Sequence, residues 1–195
     1  MSFARLASIA LGAILVNNVI FSRLLGVRPL PDAFRKLDTA AALGLSVTFA
    51  MGLASAASWL VDRYLLVKFG LTYLRTAAFV LVILLLMFLL GGGTRRYLPA
   101  LHAALGDFLP TVTASCAVLG AVLLNIRNGY GFGESVVFGF AGGLGFLLAM
   151  VLLAGVRERL TFADPPACFR GFPLALVAAG LMALAFQGFS GLRIW

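Results

Sequence analysis

A chain of 195 residues that is 62% hydrophobic and only 11% charged, with a mean hydropathy of +1.06, falls outside the range of water-soluble domains. Those are nearer half apolar and a quarter charged. A net charge of +8 and a pI near 10.5 do not point to nucleic acid, because the Lys and Arg residues lie in short loops between apolar runs rather than along one face. Basic loops of this kind report membrane topology and contact with anionic lipid.

About 20 apolar residues cross a bilayer core. On that ruler the sequence predicts an all-α polytopic membrane protein with six transmembrane helices, Phe3 to Leu25, Thr39 to Val61, Leu71 to Leu90, Pro99 to Ile126, Ser135 to Val156 and Pro173 to Leu192. Arg5 followed by an apolar run has the outline of a signal peptide, but no small-x-small cleavage site precedes a soluble domain, so the first run is read as a retained helix. Asn17 and Asn18 interrupt it at its middle. The second and fifth spans carry small residues at packing spacing, Ala40, Ala42, Gly44 and Gly52 in one and Gly139, Gly142, Gly143 and Gly145 in the other. The fourth holds Asp107 and Pro110 and then the polar run Thr111, Thr113, Ser115 and Cys116. Either the helix breaks at Pro110 or it starts late with Pro110 in its first turn. The spans around Asn17 and Cys116, helices 1 and 4, are thus expected to be broken or polar at mid-membrane. Polar groups at that depth need protein partners, a cofactor or a hydrated cavity. Each of them read alone is more simply a hydrogen-bonding residue between helices.

Connections after helices one, three and five hold Arg23, Arg28, Arg35, Lys36, Arg95, Arg96, Arg157, Arg159 and Arg170; the other side holds Arg5, Arg63, Lys68, Arg75, Arg127 and Arg193. The positive-inside rule places the first set in the cytoplasm and both termini outside. Three spans per half force a second copy of a three-helix unit to be inserted upside down, so a single membrane domain, 1–195, is expected with inverted repeat halves of about 1–93 and 94–195. The loop from Arg157 to Gly171, stopped by Pro165 and Pro166, is either a docking surface or a solvated membrane edge.

Soluble-enzyme chemistry is not in view. The single histidine, His102, has no Cys or carboxylate at ligand spacing, and none of the seven acids falls at the centre of a span. Cys116 lies inside a membrane segment and Cys168 in a polar loop, depths that disfavour a disulfide between them.

Taken together, Leu15-Val-Asn-Asn18, Arg35-Lys-Leu-Asp-Thr-Ala40, Tyr73-Leu-Arg-Thr76, Phe108-Leu-Pro110, Cys116-Ala-Val-Leu-Gly120, Leu123-Leu-Asn125, Gly139 to Phe146, Arg157-Glu-Arg-Leu160, Phe169-Arg-Gly171 and Gly188 to Leu192 resemble the A-type members of Rnf (Rsx) ion-translocating electron-transport complexes. The D-type and E-type members of the sodium-pumping NADH:quinone reductase are similar. The resemblance implies a six-helix bacterial inner-membrane protein with periplasmic termini. It would pair with a homologous, oppositely oriented E-type partner and work with the B-, C-, D- and G-type members of the complex. It also implies a binuclear iron-sulfur cluster held between the pair, each chain giving two cysteines, with electron transfer from an NADH or ferredoxin side coupled to ion movement. Cys116 occupies one of the two cysteine positions, and Arg28 stands at the other, where it cannot replace a thiolate. Arg23 and Leu90 also depart from the family pattern, which tends to Gln and Glu there, and Cys168 stands in place of proline or a small residue. Two alternatives follow: a paralogue that keeps the fold without the cluster, and a small secondary transporter using Asn17, Asn18 and the hydroxyls of Thr111 to Ser115.

Overall fold

The computed structural model describes residues 3–23, 37–68, 70, 72–97, 116–160, 166 and 172–191, and among them every regular element is helical. The described residues hold seven α-helices: α1 (Phe3–Leu11), α2 (Val19–Arg23), α3 (Leu37–Val61), α4 (Arg75–Tyr97), α5 (Cys116–Arg127), α6 (Phe132–Leu160) and α7 (Phe172–Gln187). They fall within or overlap all six of the spans expected from the sequence, with α1 and α2 sharing the first. Two helical stretches, Leu43–Leu66 and Phe132–Leu160, are long and apolar enough by themselves to cross a membrane. The apolar stretches Arg5–Val16, Arg75–Leu89, Cys116–Arg127 and Pro173–Gln187 are shorter. The start of the fourth span, with Asp107 and Pro110, lies outside the described residues.

The first span is interrupted where the two amides stand. After Leu11 the helix widens into a π turn, Gly12–Val16, closed by the Asn17 N–H donating to the Gly12 carbonyl at 2.7 Å. Asn17 leaves helical geometry (φ −99°, ψ 34°), and α2 restarts at Val19. Asn18 makes the restart possible. Its Oδ1 accepts the N–H groups of Ile20 at 3.1 Å and Phe21 at 3.4 Å, the bonds an N-cap residue provides.

The frame of the bundle is the pair α3 and α6, which carry apolar residues on all sides as membrane helices do. They run antiparallel in a strict register. Gly44 faces Leu147, Thr48 faces Gly143, Gly52 faces Phe140 and Trp59 faces Phe132, so each step of about four residues up one helix is a step down the other. Close approach requires glycine here: a Cβ on Gly143 would collide with the backbone of Thr48, and one on Gly44 would lie 2.9 Å from Leu147 Cα. Where lipid supplies no hydrophobic drive between helices, such contacts hold them together.

The interrupted first span lies parallel to α6, with Ala13 packed beside Phe138 and Ala141, while α5 packs on α3 and turns back through Gly129 (φ +66°) into α6. Val19, Ile20, Met51, Phe79, Val118, Val122 and Met150 are fully buried in one core drawn from five helices. Leu81, Leu84, Leu85, Phe88 and Leu89 on α4, and Leu176, Leu181 and Leu184 on α7, point outward.

Candidate functional site

Of the polar residues singled out in the sequence, the structure describes Cys116, Asn17 and Asn18. Arg28, Thr111, Thr113 and Ser115 lie outside the described residues, as do Cys168 and His102. For Arg23 and Leu90 only the helical backbone is described, in α2 and α4.

Asn18 is buried, 1% exposed, and its amide is fully used. Besides capping α2, its Nδ2 donates to the Ile14 carbonyl at 3.1 Å, one turn back, and to the Gly145 carbonyl of α6 at 2.8 Å. The interruption therefore exposes few backbone groups to lipid, which would be expensive at this depth. Asn18 has no donor left for a substrate. Asn17, its neighbour, is exposed.

Cys116 opens α5 and is also exposed. α5 has 12 residues, about 18 Å at 1.5 Å per residue, so Cys116 stands more than half a hydrocarbon-core thickness along the helix from Arg127. The next residues, Ala117 and Val118, are buried in the same core as Val19, Ile20 and Phe21 of α2. This packing fixes the start of α5 beside the restart of the first span. Among the described residues no three His, Cys, Asp or Glu side chains form a metal-holding group, and Cys116 is the one thiol.

One end of the bundle is marked by aromatic and charged side chains. The Trp59 indole N–H donates to the Tyr130 carbonyl at 3.0 Å, Arg75 pairs with Asp62 at 2.8 Å, and Arg5 pairs with Glu134 at 3.0 Å. Trp, Tyr and Arg at one level are the side chains of a membrane-water interface. Burial holds the Tyr130 phenol above its ordinary pKa of 10.0; the nearby Glu134 carboxylate adds to this, against a hydrogen bond with Asn128 and the charge of Arg5.

Sequence reasoning missed a second buried polar group, Ser55, Asn125 and Ser135, where α3, α5 and α6 meet. Asn125 was visible as an amide near the end of the fourth span. Ser55 was hidden in a run of small residues.

Compared with known proteins, residues 6–193 match the family model described as Rnf-Nqr subunit, membrane protein. A protein of Syntrophotalea carbinolica, named as the A component of an ion-translocating oxidoreductase complex, is 48% identical over 184 residues, covering 94% of this chain and 95% of that relative. One of the same name from Citrobacter koseri is 50% identical over 181 residues, 93% of this chain and 94% of its own. With a match of this extent across the helices and the interrupted first span, the chain belongs to the Rnf-Nqr family of membrane proteins.

Proposed function

We propose that this chain is the A-type membrane component of an ion-translocating oxidoreductase complex, working in the coupling of electron transfer to ion transport across a bacterial inner membrane. The observation that carries this reading is identity near one half over almost the full length of both chains. A component of such a complex has partners. Those expected are a homologous, oppositely oriented E-type partner and the B-, C-, D- and G-type members.

Six crossings in two inverted halves, with both termini periplasmic, are part of the same reading. Helix pairing supports it. The first span packs on α6 as α5 packs on α3, α2 meets α7 as α5 meets α4, and α3 meets α4 as α6 meets α7. Exchanging the halves exchanges these pairs, and the antiparallel α3 and α6 lie at the centre. That is the pattern of a pseudo-two-fold axis in the membrane plane.

The cofactor this reading puts here is a binuclear iron-sulfur cluster shared with the E-type partner. An exposed thiol at half-membrane depth fits one ligand of such a shared cluster better than an internal site. When bound, the cluster accepts and passes on single electrons. This chain's own fit ends at Cys116, since Arg28 occupies the second cysteine position and a guanidinium carries no thiolate. Arg28 also favours a second reading, a paralogue that keeps the scaffold and the pairing but holds no cluster.

Iron and acid-labile sulfide, with a reduced-state EPR spectrum, separate the two when measured on this chain co-purified with the E-type partner and nothing else. The electron-transfer reading expects two irons per pair and their loss in Cys116→Ser. A pair that assembles without iron leaves the paralogue.

A further inference from the structure

The outward side of α3 ends in a feature that neither the electron-transfer reading nor the core uses. Past Val61 the chain widens into a second π turn, Asp62–Leu66, closed by the Val67 N–H donating to the Asp62 carbonyl at 2.9 Å. In an α-helix, residues five apart stand about 140° apart around the axis, whereas a π turn stacks them. The next such pair after Asp62 and Val67 is Arg63 and Lys68. The widened turn brings both cations round toward one side, with Tyr64 beside them. All three are exposed, Tyr64 by 65%.

The acids nearby are already used. Asp62 is taken by Arg75, whose Nε and Nη2 donate to its two oxygens at 2.8 and 3.4 Å. Glu134, at the same end of the bundle, is taken by Arg5 at 3.0 Å. Among the described residues no acid pairs with Arg63 or Lys68. Below these cations the wall is apolar. Leu60, Leu53 and Phe49 follow Tyr64 down α3 at steps of four, seven and four residues, a spacing that keeps them on one side, and each is at least 40% exposed. From Tyr64 to Leu53 is 11 residues, about 16 Å along the helix, which is one leaflet of a hydrocarbon core about 30 Å thick.

Two uncompensated cations at the level of the interfacial Trp59 and Tyr130, above an outward apolar strip one leaflet deep, match the two parts of a phospholipid whose headgroup is negative. Zwitterionic lipid covers the strip but brings its own cation against Arg63 and Lys68. A soluble anion meets the cations and leaves the strip bare. We infer that the π turn at the end of α3 is a binding site for one anionic phospholipid, its phosphate held by Arg63 and Lys68 and an acyl chain laid on Leu60, Leu53 and Phe49. Neither the thiol nor the iron-sulfur reading enters this inference.

The protein is purified with the chains that accompany it and placed in phosphatidylcholine nanodiscs. These contain a trace of phosphatidylglycerol or of phosphatidylcholine with a photoactivatable group on its acyl chain, and labelled residues are mapped by mass spectrometry. Phosphatidylglycerol is expected to label residues 53–60 of α3 about five times or more as strongly as phosphatidylcholine, since each basic side chain beside an anionic headgroup is worth about that factor. Arg63→Gln with Lys68→Gln removes the excess. Arg127→Gln, the loss of an exposed cation at the same end, keeps it. Equal labelling of the outward Leu84 and Leu85 on α4 by both probes, in wild type and variants, shows that the chain is folded in the disc. Excess inorganic phosphate leaves the pattern unchanged, because it has no chain to lay on α3. Equal labelling of α3 by the two lipids overturns the inference, as does a strip that neither lipid reaches because a partner chain covers it. So does loss of the excess in Arg127→Gln, which marks a general surface charge, or on adding phosphate alone, which marks a site for a free anion.

Discussion

Two asparagines, one in each half of the chain, bond to the backbone of the same helix and end differently. Asn18 reaches Gly145 of α6 and closes four hydrogen bonds, joining both parts of the first span to the frame. Asn125 reaches Ser135 of α6 and closes only the Nδ2 side. A buried amide whose bonds all close contributes more than one with an open acceptor. Asn18→Ala is therefore expected to cost about 2 to 4 kcal/mol, because it leaves the N–H groups of Ile20 and Phe21 uncapped and cuts the tie to the Gly145 carbonyl. Asn125→Ala also removes the orphaned acceptor and costs about 1 kcal/mol or less. Denaturation of the reconstituted protein measures both, and equal losses would break the contrast.

Two glycines of α6 sharpen it. A Cβ on Gly145 would stand 3.1 Å from Ile14 Cα and 3.2 Å from the Ile14 carbonyl oxygen, at the point where the interrupted span leans on α6. Backbone cannot swing aside as a side-chain tip can, so Gly145→Ala pushes the span away and stretches the Asn18 bond. The expected loss is about 1 to 2 kcal/mol. Gly142, one turn earlier and also buried, has nothing within 4 Å of the same added atom. There the helix preference for Ala over Gly acts alone, and Gly142→Ala should be neutral or gain up to about 1 kcal/mol. Thermal midpoints of the two variants should move in opposite directions, or Gly145 alone should move.

The contrast also marks how far the sequence could be read. Asn17 and Asn18 announced an interruption, since two amides in a membrane-length apolar run compete with helical bonding at a depth where water cannot. Which of them would be buried was not legible: that depends on Oδ1 of Asn18 reaching Ile20 and Phe21, and on the Gly145 carbonyl, 127 positions away. The small residues of the second and fifth spans pointed to tight packing, but the antiparallel register that sets Gly143 on Thr48 is a property of the pair. For the same reason Ser55 and Ser135, 80 positions apart, read separately as ordinary helix hydroxyls. Cys116 stood out in the sequence as a thiol inside a membrane-length run. Its exposure depends on which sides of α5 the neighbouring helices cover.

Tyr130 tests how dry the turn between α5 and α6 is. It stands in the turn between α5 and α6, its carbonyl bonded to Trp59 and its ring 5.4 Å from Phe138, against the cluster of Ala13, Phe138 and Ala141. Burial favours the neutral phenol, and the folded pKa therefore lies above the unfolded value of 10.0. Between those two values the unfolded chain has released the proton and the folded one has not. This contribution to stability is complete below pH 10 and is lost as pH rises through the folded pKa. The difference spectrum between wild type and Tyr130→Phe should show a phenolate band that rises only above pH 10, while wild type loses stability relative to the variant over the same range. The effect is the smallest of those expected, because the ring is half-buried. Ionisation at the ordinary phenol value would mean that water reaches the ring where it packs on Phe138.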